Sequence, residues 1–224
     1  MSTGAPTSDQ VKAGQQVYSP LLLAGYDLFV LRFSNRFAWR CPWTRLLAAY
    51  DRHVGARHLD IGVGTGFFLD RCRWPVDSPQ ITLLDLNPNS LARAAGRIRR
   101  YAPRTVQASA LEPLPLGDEQ FESVGLNFLL HCLPGPIEEK TRTVVQGVKP
   151  HLAPGAVFFG STILGRGVHH NAVGGALMRQ YNRKGIFSNL ADDVEGLERA
   201  LSADFSAVEA EVVGTVVVFS ARAG

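Results

Sequence analysis

Residues 59–69, Leu-Asp-Ile-Gly-Val-Gly-Thr-Gly-Phe-Phe-Leu, join an apolar run, three glycines at alternate positions and the opening of a helix. A turn of this kind brings backbone N–H groups and a helix N-terminus against a ligand. A dinucleotide fingerprint G-x-G-x-x-G counted from Gly62 would place its third glycine at position 67, which is Phe67; the third glycine is Gly66 instead. Asp60 stands just before the turn. A carboxylate there repels a pyrophosphate but suits a ligand carrying an ammonium and a sulfonium. A second acid, Asp85, closes the apolar run Ile81-Thr82-Leu83-Leu84. An acid at the tip of a second strand can accept both hydroxyls of a ribose. Taken without the glycines, Asp85 is only a strand-end turn residue.

The glycine turn with its preceding acid resembles motif I of the class I S-adenosylmethionine-dependent methyltransferases. The resemblance implies a role for each residue. Asp60 lies near the methionine amino group, directly or through water, and the backbone of Gly62 and Gly64 packs on the methionine moiety, with Gly66 completing the motif. Asp85 takes the ribose diol and Leu86 lies beside the adenine. The segment Ser109-Ala110-Leu111-Glu112-Pro113-Leu114-Pro115-Leu116 looks like the family's third motif, with Ser109 in place of its usual Asp. A hydroxyl there accepts from the adenine amino group with less charge assistance than a carboxylate. Phe121–Asn127 resembles the fourth strand, whose carboxyl end, at Asn127, faces the methyl group. The Asn-Pro-Pro-Tyr or Asp-Pro-Pro-Tyr signature of DNA-amine methylation is missing at this strand end, which disfavours a nucleic-acid amine as substrate.

Methyl transfer from a sulfonium needs a general base only when the nucleophile still holds its proton. Three of the six histidines are candidates by position. His131 follows the fourth strand, where packing is the alternative. His169 and His170 follow the fifth, where a solvated loop pair is the alternative. His53, His58 and His151 read as structural. Tyr18 and Tyr26 lie in an aromatic N-terminal segment that either caps the sheet or covers an acceptor; we expect the lid, with both tyrosines as substrate-binding residues. No clustered Asp/Glu/His set lies near strands four and five, unlike the magnesium-dependent catechol-type enzymes, so no metal is expected.

Positioning these residues requires alternating strands and helices. Strands are expected near 57–61, 80–85, 104–108, 121–127 and 155–162, and helices near 43–54, 66–73, 88–101 and 136–149. Asn87 reads as an N-cap with Pro88 at the first helical position. Beyond Thr162 a glycine-rich stretch, 165–175, reads as a loop able to close, followed by a helix ending near Lys184-Gly185 and another near 192–203. Two apolar runs, 206–213 and 215–221, meet at Gly214 and must form an antiparallel hairpin. The expected fold is α/β: a seven-stranded, mostly parallel Rossmann-like sheet with a terminal antiparallel hairpin, helices on both faces and an N-terminal helical lid. One domain is expected, with 1–17 disordered or loosely ordered, 18–54 as helical lid, 55–224 as core and 163–190 as a substrate-pocket insertion.

Composition bounds the function. A hydrophobic content of 46% with 19% charged residues describes an ordinary globular chain. The net charge of +3 is too small to argue for nucleic acid, and the arginines at 93, 97, 99, 100 and 104 read as a solvated face. Cys41, Cys72 and Cys132 have no CxxC or zinc spacing and read as reduced thiols, so the expected location is the cytoplasm. The stretch Leu21–Phe33 is interrupted by Gly25, Asp27 and Arg32 and is too short to span a bilayer. The expected activity is transfer of a methyl group from S-adenosylmethionine to a small, apolar metabolite, in an oligomeric state the sequence leaves open. Three alternatives stand beside it: an RNA or nucleoside methyltransferase, an enzyme using the bound cofactor for a non-methylating rearrangement, and a nonenzymatic binding module.

Overall fold

The computed structural model describes residues 36–224. The expectations for the N-terminal segment, including Tyr18 and Tyr26, lie outside the described residues. The core opens with α1 (Trp43–His53), followed by β1 (Arg57–Ile61), α2 (Phe67–Arg71), β2 (Gln80–Asp85) and α3 (Pro88–Arg97). β3 (Arg104–Gln107), β4 (Phe121–Asn127), α4 (Ile137–Val148) and β5 (Leu152–Ile163) continue the alternation. The chain closes with α5 (Ala172–Arg183), α6 (Val194–Ser202), β6 (Ala207–Val213) and β7 (Val216–Arg222).

The seven strands form one sheet in the order β3-β2-β1-β4-β5-β7-β6. β1 to β5 run parallel, while β7 is antiparallel to both β5 and β6. Successive residues of each strand point to opposite faces, and both faces are covered. Leu84, Leu126, Phe158 and Phe219 pack with α4 and α6 residues such as Val144, Val148, Leu197 and Leu201. Leu83, Phe159 and Val216 pack on the other side with Leu46 and Tyr50 of α1, Phe68 and Leu69 of α2 and Leu91 of α3. Burial on both faces explains why these strands read as continuous apolar runs instead of alternating ones.

Several local expectations need adjusting. β5 starts at Leu152, three residues earlier than expected. Pro154 and Gly155 lie inside it, as an irregularity where the register to β4 shifts between Phe121↔Leu152 and Ser123↔Val157. Pro has no N–H to give a ladder, so it sits where the pairing is broken. The glycine-rich stretch is not all loop. Asn171 caps α5 by accepting from Gly174 N at 2.8 Å, so Gly174 and Gly175 belong to the first helical turn. A Cβ on Gly174 would stand 2.7 Å from the Ala38 carbonyl, and one on Gly165 would stand 2.0 Å from the Asn189 carbonyl. These two glycines serve close packing.

The strap before α1 is fastened to the far end of the chain. The backbone N and Oγ1 of Thr215 both donate to the Trp39 carbonyl, at 2.9 and 3.1 Å. Arg40, in the left-handed conformation with φ 55°, donates to the His169 carbonyl. Among the described residues no helix is long and apolar enough to cross a membrane.

Candidate active site

β1 and β4 are neighbours, with β2 and β3 on one side and β5, β7 and β6 on the other. The strand order therefore reverses between β1 and β4, the place where an open α/β sheet leaves a crevice at its carboxyl edge. A cleft opens there, enclosing about 1400 Å³ with its solvent mouth included. The segments that leave β1, β2, β3 and β4 all line it.

The glycine turn forms the floor. Gly62, Gly64 and Gly66 all have positive φ, at 73°, 52° and 69°. Gly62 N donates to the Leu84 carbonyl at 2.8 Å, which ties the turn to the end of β2. Gly66 is the N-cap position of α2.

The two acids stand on adjacent strands. Asp60 is buried and its Oδ2 accepts from Tyr50 Oη at 2.9 Å. Asp85 Oδ1 accepts from Asn87 N at 2.8 Å. Burial pushes the Asp85 carboxyl up to about 6, against the pull of backbone N–H groups of Asn87, Gly64 and Val63, while the nearby Asp60 charge adds to the rise. A carboxylate withdrawn from water in this way gains from hydroxyl donors that a ligand brings. Asn87 caps α3 by accepting from Asn89 N at 2.9 Å, with Pro88 next in line, as the sequence implied.

Leu86, Ser109, Ala110 and Asn127 also line the cleft. Ser109 Oγ accepts from Leu111 N at 3.2 Å, so it shapes its own turn. Ser161 Oγ donates to Asn127 Oδ1, leaving the Asn127 amide N–H₂ as a donor. The structure thus brings Asp60, the three glycines, Asp85, Leu86, Ser109, Ala110 and Asn127 around one cavity, Gly66 through its place in the floor turn.

The three candidate histidines are not brought to it. His131 is buried beneath Phe128 and Phe187, with ring centroids at 5.7 and 4.5 Å, and its Nδ1 lies 3.3 Å from Thr162 Oγ1. Burial, helped by the Lys140 charge, pushes its imidazole down to about 3. His169 is exposed. His170 Nε2 donates to the Leu164 carbonyl at 2.9 Å, its ring meets Trp39 edge-on, and burial lowers its pKa.

Other cleft residues were not singled out from the sequence. Phe128, Leu129, Leu133, Pro134 and Ile186 make an apolar wall. Phe128 has φ 55°, an uncommon conformation for an aromatic residue, at the tip of β4. Cys132 lines the same wall, and burial pushes its thiol up to about 12. Tyr50 enters from α1, and its only sequence signal was its place on that helix's apolar face.

Part of the arginine cluster is engaged within the protein, while Arg93 and Arg99 are exposed. Arg97 donates to Thr65 Oγ1 at 2.9 Å, and Arg100 pairs with Asp70 at 2.6 Å. Among the described residues no group of three or more His, Cys, Asp or Glu is arranged to hold a metal ion.

The comparisons agree with this geometry. A family profile described as a methyltransferase domain matches residues 59–158. The chain is 43% identical over 218 residues to the physcion biosynthesis cluster O-methyltransferase of Aspergillus chevalieri, covering 96% of this chain and 97% of that protein. It is 41% identical to the demethylluteothin O-methyltransferase of Streptomyces thioluteus, covering 98% and 97%. Among solved structures, the N-methyltransferase NodS of Bradyrhizobium japonicum in complex with S-adenosyl-L-homocysteine superposes with a TM-score of 0.58 at 17% identity, over 80% of this chain and 84% of that one. With the motif, the fold and relatives of this similarity in agreement, the chain belongs to the class I methyltransferases, and its cofactor is S-adenosylmethionine.

Proposed function

We propose that this chain methylates a phenolic or enolic hydroxyl of a small, largely apolar product of secondary metabolism. The observation that carries the reading is the lining of the cleft, where Asp60, Asp85 and the glycine turn share one cavity with the apolar side chains of Phe128, Leu129, Leu133, Pro134 and Ile186. Two full-length relatives named as O-methyltransferases, one of them from a biosynthesis cluster, support the hydroxyl and the metabolic setting.

The residues fit the cofactor. Asp60 holds its amino group, the turn at Gly62–Gly66 packs on its methionine arm, Asp85 takes the ribose hydroxyls, Leu86 and Ala110 flank the adenine, and Ser109 and Asn127 offer it polar contacts. When bound, S-adenosylmethionine supplies an electrophilic methyl group on a positive sulfur with a good leaving group. The protein's contribution is then to hold the acceptor oxygen in line and to exclude water. Among the described residues no histidine lines the cleft. That favours an acceptor whose own conjugation acidifies its hydroxyl, since a phenol titrates near about 10 and an aliphatic alcohol far higher. The N-terminal segment with Tyr18 and Tyr26 is proposed to cover the acceptor, next to the 163–190 region.

Calorimetry with S-adenosylhomocysteine tests the cofactor assignment: Asp85→Ala should lose about 1.5–3 kcal/mol of affinity. Unchanged affinity rejects the ribose role. Incubation with methyl-labelled cofactor and a panel of phenols, enols and amines tests the acceptor, and product formed only from amines rejects the hydroxyl. Turnover should persist in EDTA; loss of activity that magnesium restores would identify a metal enzyme instead. A chain lacking residues 1–37 should still bind the cofactor but transfer no methyl group; undiminished transfer rejects the lid.

A further inference from the structure

Behind the glycine turn, four side chains from three elements form one continuous line of hydrogen bonds. Gly55 N donates to Ser123 Oγ at 2.7 Å. Ser123 Oγ lies 2.8 Å from His58 Nδ1, and His58 Nε2 lies 3.3 Å from Asp60 Oδ2. Tyr50 Oη reaches the same carboxylate oxygen at 2.9 Å. The side chains are out of water: His58 and Ser123 are 0% exposed, Asp60 and Tyr50 3%.

With the His58 ring neutral, the chemistry fixes the direction of every proton. A carboxylate only accepts, so His58 Nε2 carries its hydrogen. Nδ1 of the neutral ring then accepts, and Ser123, already accepting from Gly55, donates its hydroxyl proton to it. Burial and the Asp60 charge hold the Tyr50 phenol well above its ordinary range, so it remains a donor. Two neutral donors thus converge on Oδ2, and the other carboxylate oxygen is left for a donor from the cleft, which Asp60 lines.

The surroundings leave room for this arrangement and hold it. Gly125 pairs with Asp60 across β1 and β4, and a Cβ on it would stand 2.8 Å from Asp60 Oδ2 and 3.2 Å from the His58 ring. The Tyr50 ring stacks on Phe68, at 5.3 Å and 15°, and meets Phe159 edge-on at 5.1 Å.

We propose that Tyr50 and His58 are positioning residues that orient the Asp60 carboxylate toward the amino group of the cofactor. The proposal rests on the assignment of that amino group to Asp60. Neutral donors achieve this without introducing a competing cation. A lysine or arginine in their place would pair with Asp60 and repel both the ammonium and the sulfonium. The device acts on one arm of the ligand only. It should bear on S-adenosylmethionine and S-adenosylhomocysteine, which carry the amino group, and not on 5′-methylthioadenosine, which lacks it.

Calorimetry on the full chain with S-adenosylhomocysteine and 5′-methylthioadenosine tests this. Tyr50→Phe keeps the ring packing and removes one donor. It should weaken S-adenosylhomocysteine about tenfold, as expected for losing a hydrogen bond to a charged group, and leave 5′-methylthioadenosine within about twofold. His58→Leu should do the same, while His58→Gln, which keeps an N–H near Nε2, should recover most of the loss. Asp60→Asn separates the two ideas. If it fails to distinguish the ligands, the assignment of the amino group falls and the relay falls with it. If it distinguishes them but Tyr50→Phe and His58→Leu do not, or weaken both ligands alike, the positioning role alone is overturned.

Discussion

Lys140 and Asp192 form a buried ion pair beneath the wall of the cleft, with Nζ 2.7 Å from Oδ2 and both side chains almost wholly withdrawn from water. Lys140 Nζ also donates to the carbonyls of Ser188 and Leu133, at 2.7 and 3.2 Å. The Asp192 carbonyl in turn accepts from Gly165 N and Arg166 N, each at 2.9 Å. The pair therefore joins the segments that leave β4 and β5 to the one that enters α6. Burial lowers the Lys140 ammonium and raises the Asp192 carboxyl, each opposed by the partner's charge.

Removing one partner leaves the other buried and uncompensated. Lys140→Met should cost about 3–5 kcal/mol of stability. Lys140→Met combined with Asp192→Leu should regain most of that, because an apolar pair of similar volume avoids the desolvation cost. Urea unfolding of the two single variants and the double variant checks this, and simple additivity would exclude coupling.

Asp85 makes the opposite kind of demand. Its folded pKa of about 6 lies above the ordinary carboxylate value. The folded state therefore binds the proton more tightly, and this group favours folding as pH falls from about 6 toward about 4. At neutral pH the ionised form strains the ligand-free protein. Asp85→Asn should stabilise that form at pH 7 by about 1–2 kcal/mol, below the full shift because the group is part-exposed. The same variant should bind cofactor more weakly, and wild-type affinity should fall as pH drops below about 6. Thermal melts with calorimetry at pH 5 and 7.5 are the measurements; a destabilised Asp85→Asn would contradict the account.

His131 should stay neutral throughout the physiological range. Its folded pKa, about 3, lies below the unfolded value near about 6.5. It contributes stability that is present above about 6.5 and lost as pH falls toward about 3. NMR of the imidazole should show no titration between pH 5 and 8. A midpoint near neutrality would restore it as a candidate base.

Gly64 and Gly66 share a left-handed backbone but not their surroundings. A Cβ on Gly64 meets open space, whereas one on Gly66 would stand 3.0 Å from Ala94 Cα. Gly64→Ala should cost about 1–2 kcal/mol, the conformational penalty alone. Gly66→Ala should cost more, because α3 must move away from the turn. Equal melting temperatures for the two variants would show that α3 yields freely.

The sequence made the cofactor side of the cleft legible because each residue there sits at a strand end within a short motif. Asp60, Gly62 and Asp85 are placed by local chain geometry, and so are the Asn87 cap and the alternating strands. Tyr50 and Lys140 were missed for different reasons. Tyr50 meets Asp60 only through the packing of α1 on the sheet, which no local pattern encodes. Lys140 did carry a signal: it falls between Ile137 and Val144 on the inner face of α4, where the period places a buried residue. Its charge argued for the surface, and the partner that overrides this, Asp192, is distant in the sequence. The glycine-rich stretch misled in the other direction. Composition read 165–175 as a loop, but tight contacts with Asn189 and Ala38 require two of its glycines to be small.

The bond from Thr215 to Trp39 has a consequence for the order of assembly. β7 lies between β5 and β6 and contributes to both faces of the core, yet it follows the other six strands in the sequence. The elements from α1 to β3 leave the ribosome long before the residue that fastens the strap ahead of them. A nascent chain stopped before residue 215 has its glycine turn and both acids and the partners of Arg40 and Phe37, but it lacks the two Thr215 donors that hold Trp39. Only when the β6–β7 hairpin slots in does Trp39 gain its two donors, so the strap ahead of α1 is seated by an element made long after it.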